Sequence, residues 1–102
     1  MTMLHTVNKS PFEKITLDSC LRMARAGSAI LLIEDAVYAA MKGTIIEEKL
    51  RAVNKKCKIY ALEPDLKARG LDLADCIEGV ELVGYDGFVD LAVTHDKVQA
   101  WL

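Results

Sequence analysis

The sequence predicts an α/β protein of three layers (α/β/α), in which helices cover both faces of a mainly parallel sheet of about five strands. Apolar runs of four to six residues alternate along the chain with segments of helical periodicity. The second run, AILLI, is continuously apolar, which is typical of a parallel strand covered on both faces. Repeated strand–helix units build parallel sheets, because each helix carries the chain back to the same end of the sheet.

The first unit begins with the apolar run MLHTV at residues 3–7. Residues 8–15 follow as a loop or short turn, and Thr16 is the expected N-cap of the first long helix. One face of that helix is apolar, because four small or apolar residues recur at helical spacing. They are Leu17, Cys20, Leu21 and Ala24.

The later units are predicted from the same two periodicities. A weaker helical stripe lies within residues 45–53, and a third lies within residues 88–92. The strands are expected near residues 3–7, 29–34, 57–62, 80–84 and 97–101.

Aspartates follow three of the predicted strands, at Asp35, Asp65 and Asp86. Because the carboxyl ends of parallel strands meet at one edge, such residues are compatible with a metal or phosphotransfer site. Asp is also a common N-cap, and capping of the helices that follow is the interpretation we favour. A receiver-type phosphoacceptor site would need acidic residues after the first strand, where residues 8–10 read NKS. The sequence therefore predicts caps and no metal site.

Composition limits the classes of partner. One domain is expected over residues 1–102, and its hydrophobic fraction of 52% is high enough to suggest that some apolar surface is buried against partner subunits. With 13 Lys and Arg against 15 Asp and Glu, direct nucleic-acid binding is not expected.

Residues 8–16 lack the glycines of a phosphate loop, so nucleotide binding after the first strand is not expected. No signal peptide or membrane-length apolar run is visible, so we predict a cytoplasmic protein with reduced thiols and no membrane contact.

Three cysteines, Cys20, Cys57 and Cys76, form no CxxC pair and match no zinc spacing. Cys20 lies near the start of the predicted helix, where the dipole lowers a thiol's pKa and favours the thiolate. It also borders the apolar stripe and has no cation three or four residues away, which is typical of a small buried hydrophobe. The local sequence leaves both interpretations open. The other two cysteines are interpreted as incidental, and no triad-like partner indicates a cysteine hydrolase.

Segments along the whole chain resemble the DsrH family, also called TusB. In order, and with nearly the spacing of that family, they are LHTVNKSPF, LLIEDAVYAA, ALEPDLKARG, YDGFVDLAV and the terminal VQAW. The resemblance implies a DsrE-like α/β/α fold with a parallel sheet. One departure is Ala36, where the family usually has Gly; Ala is tolerated there if its φ is negative.

The resemblance also implies a function. DsrH-like chains assemble with DsrE/TusD-like and DsrF/TusC-like subunits into a heterohexamer with two copies of each. That complex carries persulfide sulfur and exchanges it with a DsrC/TusE-like carrier. The sulfur serves 2-thiolation of the tRNA wobble uridine in the TusBCD branch and sulfur oxidation in the Dsr branch. No metal or organic cofactor is expected, because the chemistry is attack of a thiolate on a sulfane sulfur.

Cys20 matches a cysteine that DsrH proteins carry in this helix and that many TusB proteins lack, which favours the DsrH branch. Because the main sulfur acceptor of such complexes resides in the DsrE/TusD-like partner, Cys20 is expected to be an auxiliary persulfide site at most. Two hypotheses follow: a sulfurtransferase subunit whose Cys20 carries sulfur, or a purely structural subunit. A stand-alone flavodoxin-like binder of small molecules is a third alternative.

Overall fold

A five-stranded sheet forms the centre of the computed structural model, which describes residues 2–13 and 15–102. The strands are β1 (Met3–Val7), β2 (Ala29–Leu32), β3 (Lys58–Leu62), β4 (Glu81–Val83) and β5 (Lys97–Trp101). They lie in the order β4-β3-β2-β1-β5, and every neighbouring pair is parallel. The parallel sheet of five strands that the sequence predicts is therefore confirmed.

The central strand β2 is buried on both faces over all four of its residues, as its continuous apolar run indicates. It ends at Leu32, two residues earlier than predicted, because a 3-10 helix over Glu34–Ala40 begins almost immediately. Strands β3 and β4 are also slightly shorter than predicted, whereas β1 and β5 have the predicted bounds. The apolar pattern thus locates each strand, and the turn that follows decides where it ends.

Three helices pack on one face of the sheet: α1 (Thr16–Met23), α2 (Glu47–Asn54) and α3 (Glu63–Ala68). The 3-10 helix over Glu34–Ala40 packs on the same face. This face holds the main core, a cluster of buried apolar side chains from the helices and from β1, β2 and β3. Its largest fully buried members from the helices are Leu17, Leu50 and Leu66.

The start of α1 differs by one residue from the prediction. Thr16 is the first helical residue and not the N-cap, because the carbonyl of Ile15 already accepts the N–H of Ser19 at 3.0 Å. Residues 8–13 and 15 form the predicted loop, and its turn is held by Ser10 Oγ, which accepts the N–H of Phe12 at 3.2 Å. Lys14 lies outside the described residues.

In the part of the chain that the structure describes, one helix covers the other face: α4 (Tyr85–Thr94). Its residues Phe88, Leu91 and Ala92 pack against a smaller core of Leu4, Ala29 and Leu31, which confirms the third predicted stripe. From β1 to β4 each connection steps in the same direction across the sheet, whereas the connection from β4 to β5 crosses back to the far side of β1. Because connections between parallel strands are right-handed, this reversal places α4 on the face opposite the other helices. The three-layer α/β/α fold is confirmed. Among the described helices, none has the length and apolar character needed to cross a bilayer.

Candidate functional site

The carboxyl edge of the sheet contains the acidic residues that the sequence analysis singled out. Asp65 Oδ2 accepts the backbone N–H of Glu34 at 2.6 Å, and Asp35 Oδ1 accepts a hydrogen bond from Arg69 Nε at 3.0 Å. No side chain caps α1, α2, α3 or α4 among the described residues, so the capping prediction is wrong for these helices. Asp65 instead binds the first N–H of the neighbouring 3-10 helix. No three His, Cys, Asp or Glu side chains in the described ranges gather as metal ligands.

The backbone is strained at this edge. Glu34 has a φ of +50°, and it is the one non-glycine residue with a positive φ among those described. Left-handed backbone costs an ordinary L-residue about 1 kcal/mol or more, so the surrounding contacts must stabilise it. The bond from the Glu34 N–H to Asp65 supplies one such contact. Ala36 lies within the 3-10 helix and has no positive φ, so its tolerance in place of Gly is confirmed.

The strands β1 and β5 are neighbours at the topological switch point of the sheet, because α1, which follows β1, and α4, which precedes β5, pack on opposite faces. Asn8 directly follows β1 at that point, and its Oδ1 is buried with no hydrogen-bond partner among the described residues. An unsatisfied buried acceptor costs about 1–3 kcal/mol. Phe12, in the same loop, is 52% exposed. The edge at which open α/β sheets bind ligands therefore presents both an unsatisfied oxygen and an exposed aromatic ring.

Cys20 lies on the inner face of α1, in the main core between the helix layer and the sheet. It is the fifth residue of the helix and is 0% exposed. Leu17 and Leu21 of the same stripe are buried with it, as their spacing predicts. The side chain of Cys20 therefore occupies the position of a small hydrophobe in this state of the chain.

The acid–base state of Cys20 follows from that position. Burial, with a smaller contribution from the nearby Cys57, raises the pKa of the thiol to about 12. The lowering of the Cys20 pKa that the helix dipole would produce is therefore not what the structure gives, because the cost of desolvating a thiolate outweighs the effect of the partial charge at a helix end. A protonated, inaccessible thiol does not attack a sulfane sulfur. Whether Cys20 takes up sulfur stays a prediction, and it requires this part of the core to open.

The other two thiols are also buried. Cys57 Sγ donates a hydrogen bond to the carbonyl of Arg25 at 3.0 Å, and burial raises the pKa of the thiol although Lys56 opposes the shift. Burial also raises the pKa of Cys76, and the adjacent carboxylate of Asp75 adds to this effect. None of the three cysteines is in a disulfide. All three cysteine thiols are thus buried and protonated, and none of the three is a preformed nucleophile.

The outer face of α4 is apolar and uncovered. Tyr85, Val89 and Val93 recur at intervals of four residues and are 62%, 60% and 77% exposed. Since Phe88 and Leu91 on the opposite side of α4 pack on the sheet, this helix is apolar on both sides. Asp86 and Asp90 leave only part of α4 polar, and exposed apolar side chains that lie together on one face are typical of an interaction surface. We call Tyr85, Val89 and Val93 the α4 stripe.

Sequence reasoning missed one polar pair, which joins the two ends of the chain. Trp101 Nε1 donates a hydrogen bond to Nδ1 of His5 at 3.0 Å, and the two rings lie 6.1 Å apart at a 46° tilt. His5 is 5% exposed, and burial lowers the pKa of its imidazole. No local signal marks the pair, because only the parallel register of β1 beside β5 brings the residues together.

The fold and these side chains define a small all-parallel α/β/α protein with buried thiols and one uncovered apolar helix. Comparison with known proteins identifies its family. The model of a family described as "DsrH like protein" matches residues 9–98. The chain therefore belongs to the DsrH family, the sulfur-relay family that its sequence resembles.

Named relatives agree with this assignment, and a solved structure agrees with the fold. The chain is 39% identical over 99 residues to Protein TusB from Pectobacterium atrosepticum and 39% identical to Protein TusB from Escherichia coli K12. Each match covers 97% of this chain and the whole of the relative. The crystal structure of the ychN protein from E. coli is similar in fold, with a TM-score of 0.85, 21% identity and 98% of each chain covered.

Proposed function

We propose that this chain is a subunit of a cytoplasmic sulfurtransferase complex that relays persulfide sulfur. Its partners are DsrE/TusD-like and DsrF/TusC-like subunits in a heterohexamer, which passes sulfur to or from a DsrC/TusE-like carrier. The observation that carries the proposal is the full-length match to TusB proteins at 39% identity. The same family membership supports a sulfur acceptor located on the DsrE/TusD-like partner.

The α4 stripe supports the assembly part of this proposal. It presents one aromatic and two aliphatic side chains to solvent, each more than half exposed. Burying a side chain of this size contributes about 1.5–3 kcal/mol. Coverage of the stripe by a sister subunit explains why an outer helix keeps apolar residues on both sides.

The role of Cys20 separates two versions of the proposal. In the first version Cys20 is an auxiliary persulfide site, and in the second the chain shapes the complex while another subunit holds every active thiol. The second version has more support in the geometry, because Cys20 is 0% exposed and burial raises its pKa to about 12. We therefore favour a structural role within the relay.

Co-expression with the two partner subunits tests the assembly. Val89→Lys places a charge in the middle of the α4 stripe, and we expect it to abolish co-elution with both partners. Ala52→Lys is the matched control, because Ala52 is exposed on α2 and lies outside the stripe. Co-elution of the wild-type chain with neither partner would contradict the proposed complex. Normal assembly of Val89→Lys would show only that the stripe lies outside its interfaces.

The pathway is tested in the organism that carries the chain. If the complex serves tRNA, deletion of the chain abolishes 2-thiouridine at the wobble position, and re-expression restores it. If it serves sulfur oxidation, deletion leaves tRNA unchanged and blocks the use of stored sulfur. A deletion strain that retains both activities would refute the sulfur-relay role.

A further inference from the structure

A cleft of about 290 Å³ opens at the amino ends of β1 and β2, at the opposite edge of the sheet from the strained Glu34. It lies beside the end of α1 and is lined by Met3, His5, Met23, Arg25 and Ser28. Clefts that bind small molecules measure about 300–1,000 Å³, so this one, at the lower limit of that range, has room only for a small ligand. The sulfur relay proposed above makes no use of it.

His5 contributes a hydrogen-bond donor to the cleft. Its Nδ1 accepts the indole N–H of Trp101, and an indole N–H can only donate, so Nδ1 is unprotonated. The neutral imidazole therefore has its proton on Nε2. Within the described part of the chain, Nε2 has no hydrogen-bond partner. The ring is thus held in one tautomer with its remaining N–H available to a ligand.

The backbone of Arg25 and Ser28 is held in place by the turn between α1 and β2. The N–H of Ser28 donates to the carbonyl of Arg25 at 3.0 Å, and Gly27 has the φ of +89° that the third position of a type II turn requires. The same carbonyl also accepts a bond from the thiol of Cys57 at 3.0 Å. Two more donors therefore line the cleft, the guanidinium of an exposed arginine and the hydroxyl of a buried serine.

The lining has the chemistry of an anion site with an apolar wall. Among the described residues, the lining includes one guanidinium, an imidazole N–H and a hydroxyl, but no carboxylate. Met3 and Met23 supply flexible apolar surface that adapts to a hydrocarbon chain. The carbonyl end of α1 opposes a bound anion, and the charge-assisted hydrogen bonds of the Arg25 guanidinium act in the other direction. We propose that this cleft binds a small organic monoanion, a carboxylate on a short apolar chain.

Titration of hexanoate into the full chain tests the proposal. Trp101 is the single tryptophan of the chain and contacts His5, so its fluorescence reports on the cleft directly. We expect saturable quenching or enhancement, with a shift of the His5 Nε2 resonance in nitrogen NMR at the same hexanoate concentrations. Arg25→Met should raise the dissociation constant at least tenfold. Arg22→Met is the matched control, since Arg22 is exposed, pairs with Asp18 and lies outside the cleft.

Two comparisons make the outcome decisive. Hexan-1-ol has the same apolar chain without the charge, and we expect it to bind at least tenfold more weakly than hexanoate. Ser28→Ala should weaken hexanoate binding severalfold, because it removes a single neutral donor. Equal binding of the alcohol and the acid, equal binding by Arg25→Met, or the lack of any saturable change at His5 would each overturn the proposal.

Discussion

Alkylation of Cys20 in the folded chain should be far slower than alkylation of an exposed thiol. Iodoacetamide reacts with the thiolate, and burial raises the pKa of Cys20 to about 12. At pH 8 the thiolate fraction is then about one in ten thousand, compared with about a quarter for a free thiol of pKa ~8.5. The difference in thiolate fraction alone therefore predicts that Cys20 is alkylated about 2,000-fold more slowly than a free thiol. The 0% exposure of the Cys20 side chain lowers its alkylation rate further.

The assay is timed alkylation at pH 8 followed by digestion and mass spectrometry of the peptide that contains Cys20. Ala52→Cys supplies the control, because residue 52 is exposed on α2 and the new thiol should react at the ordinary rate in the same tube. In denaturant Cys20 should react as fast as the control thiol. A native rate for Cys20 within tenfold of the control rate would refute the assignment of a buried, protonated thiol.

Further predictions concern the His5–Trp101 pair and the strained backbone. Because burial lowers the pKa of His5 below its ordinary 6.5, the unfolded chain binds the extra proton more readily, so the free energy of unfolding should fall as the pH drops below about 6.5. Trp101→Phe removes the N–H that stabilises the neutral ring, and a proton NMR titration should show the His5 pKa rising toward its ordinary value; an unchanged or lower pKa would contradict this. Glu34→Gly relieves the backbone strain at φ +50° and should raise the free energy of unfolding by about 0.5–1 kcal/mol in urea denaturation, provided that the bond to Asp65 remains. Gly27→Ala, at φ +89° with open space around the new Cβ, should lower the free energy of unfolding by at least about 1 kcal/mol. Equal free energies of unfolding for Gly27→Ala and the wild-type chain would refute the strain argument.

The fold was predictable because it depends on apolar periodicity, which the sequence displays directly. The continuous run in β2 indicates burial on both faces, and the stripe of Leu17, Cys20 and Leu21 indicates the inner face of α1. The start of α1 was off by one residue because the carbonyl of Ile15, and not a polar side chain, begins the helix. Local capping rules do not include the loop geometry that decides at which residue α1 begins.

The site was only partly predictable, because its chemistry depends on contacts between distant residues. The sequence placed Cys20 on the apolar stripe, but the sign of its pKa shift depends on packing against the sheet and on Cys57, 37 positions away. His5 and Trp101 meet only because β5 returns beside β1. Asp65 was interpreted as a cap of its own helix and instead binds the neighbouring 3-10 helix at Glu34.

Mass spectrometry of the assembled complex after incubation with a persulfide donor tests the proposed role most directly. We predict that a mass increase of about 32 Da, one sulfur atom, appears on a cysteine of the DsrE/TusD-like partner and not on Cys20. Cys20→Ser should leave the sulfur uptake of the complex unchanged. An adduct of that mass on Cys20, lost in Cys20→Ser, would contradict the structural role and establish Cys20 as a sulfur carrier.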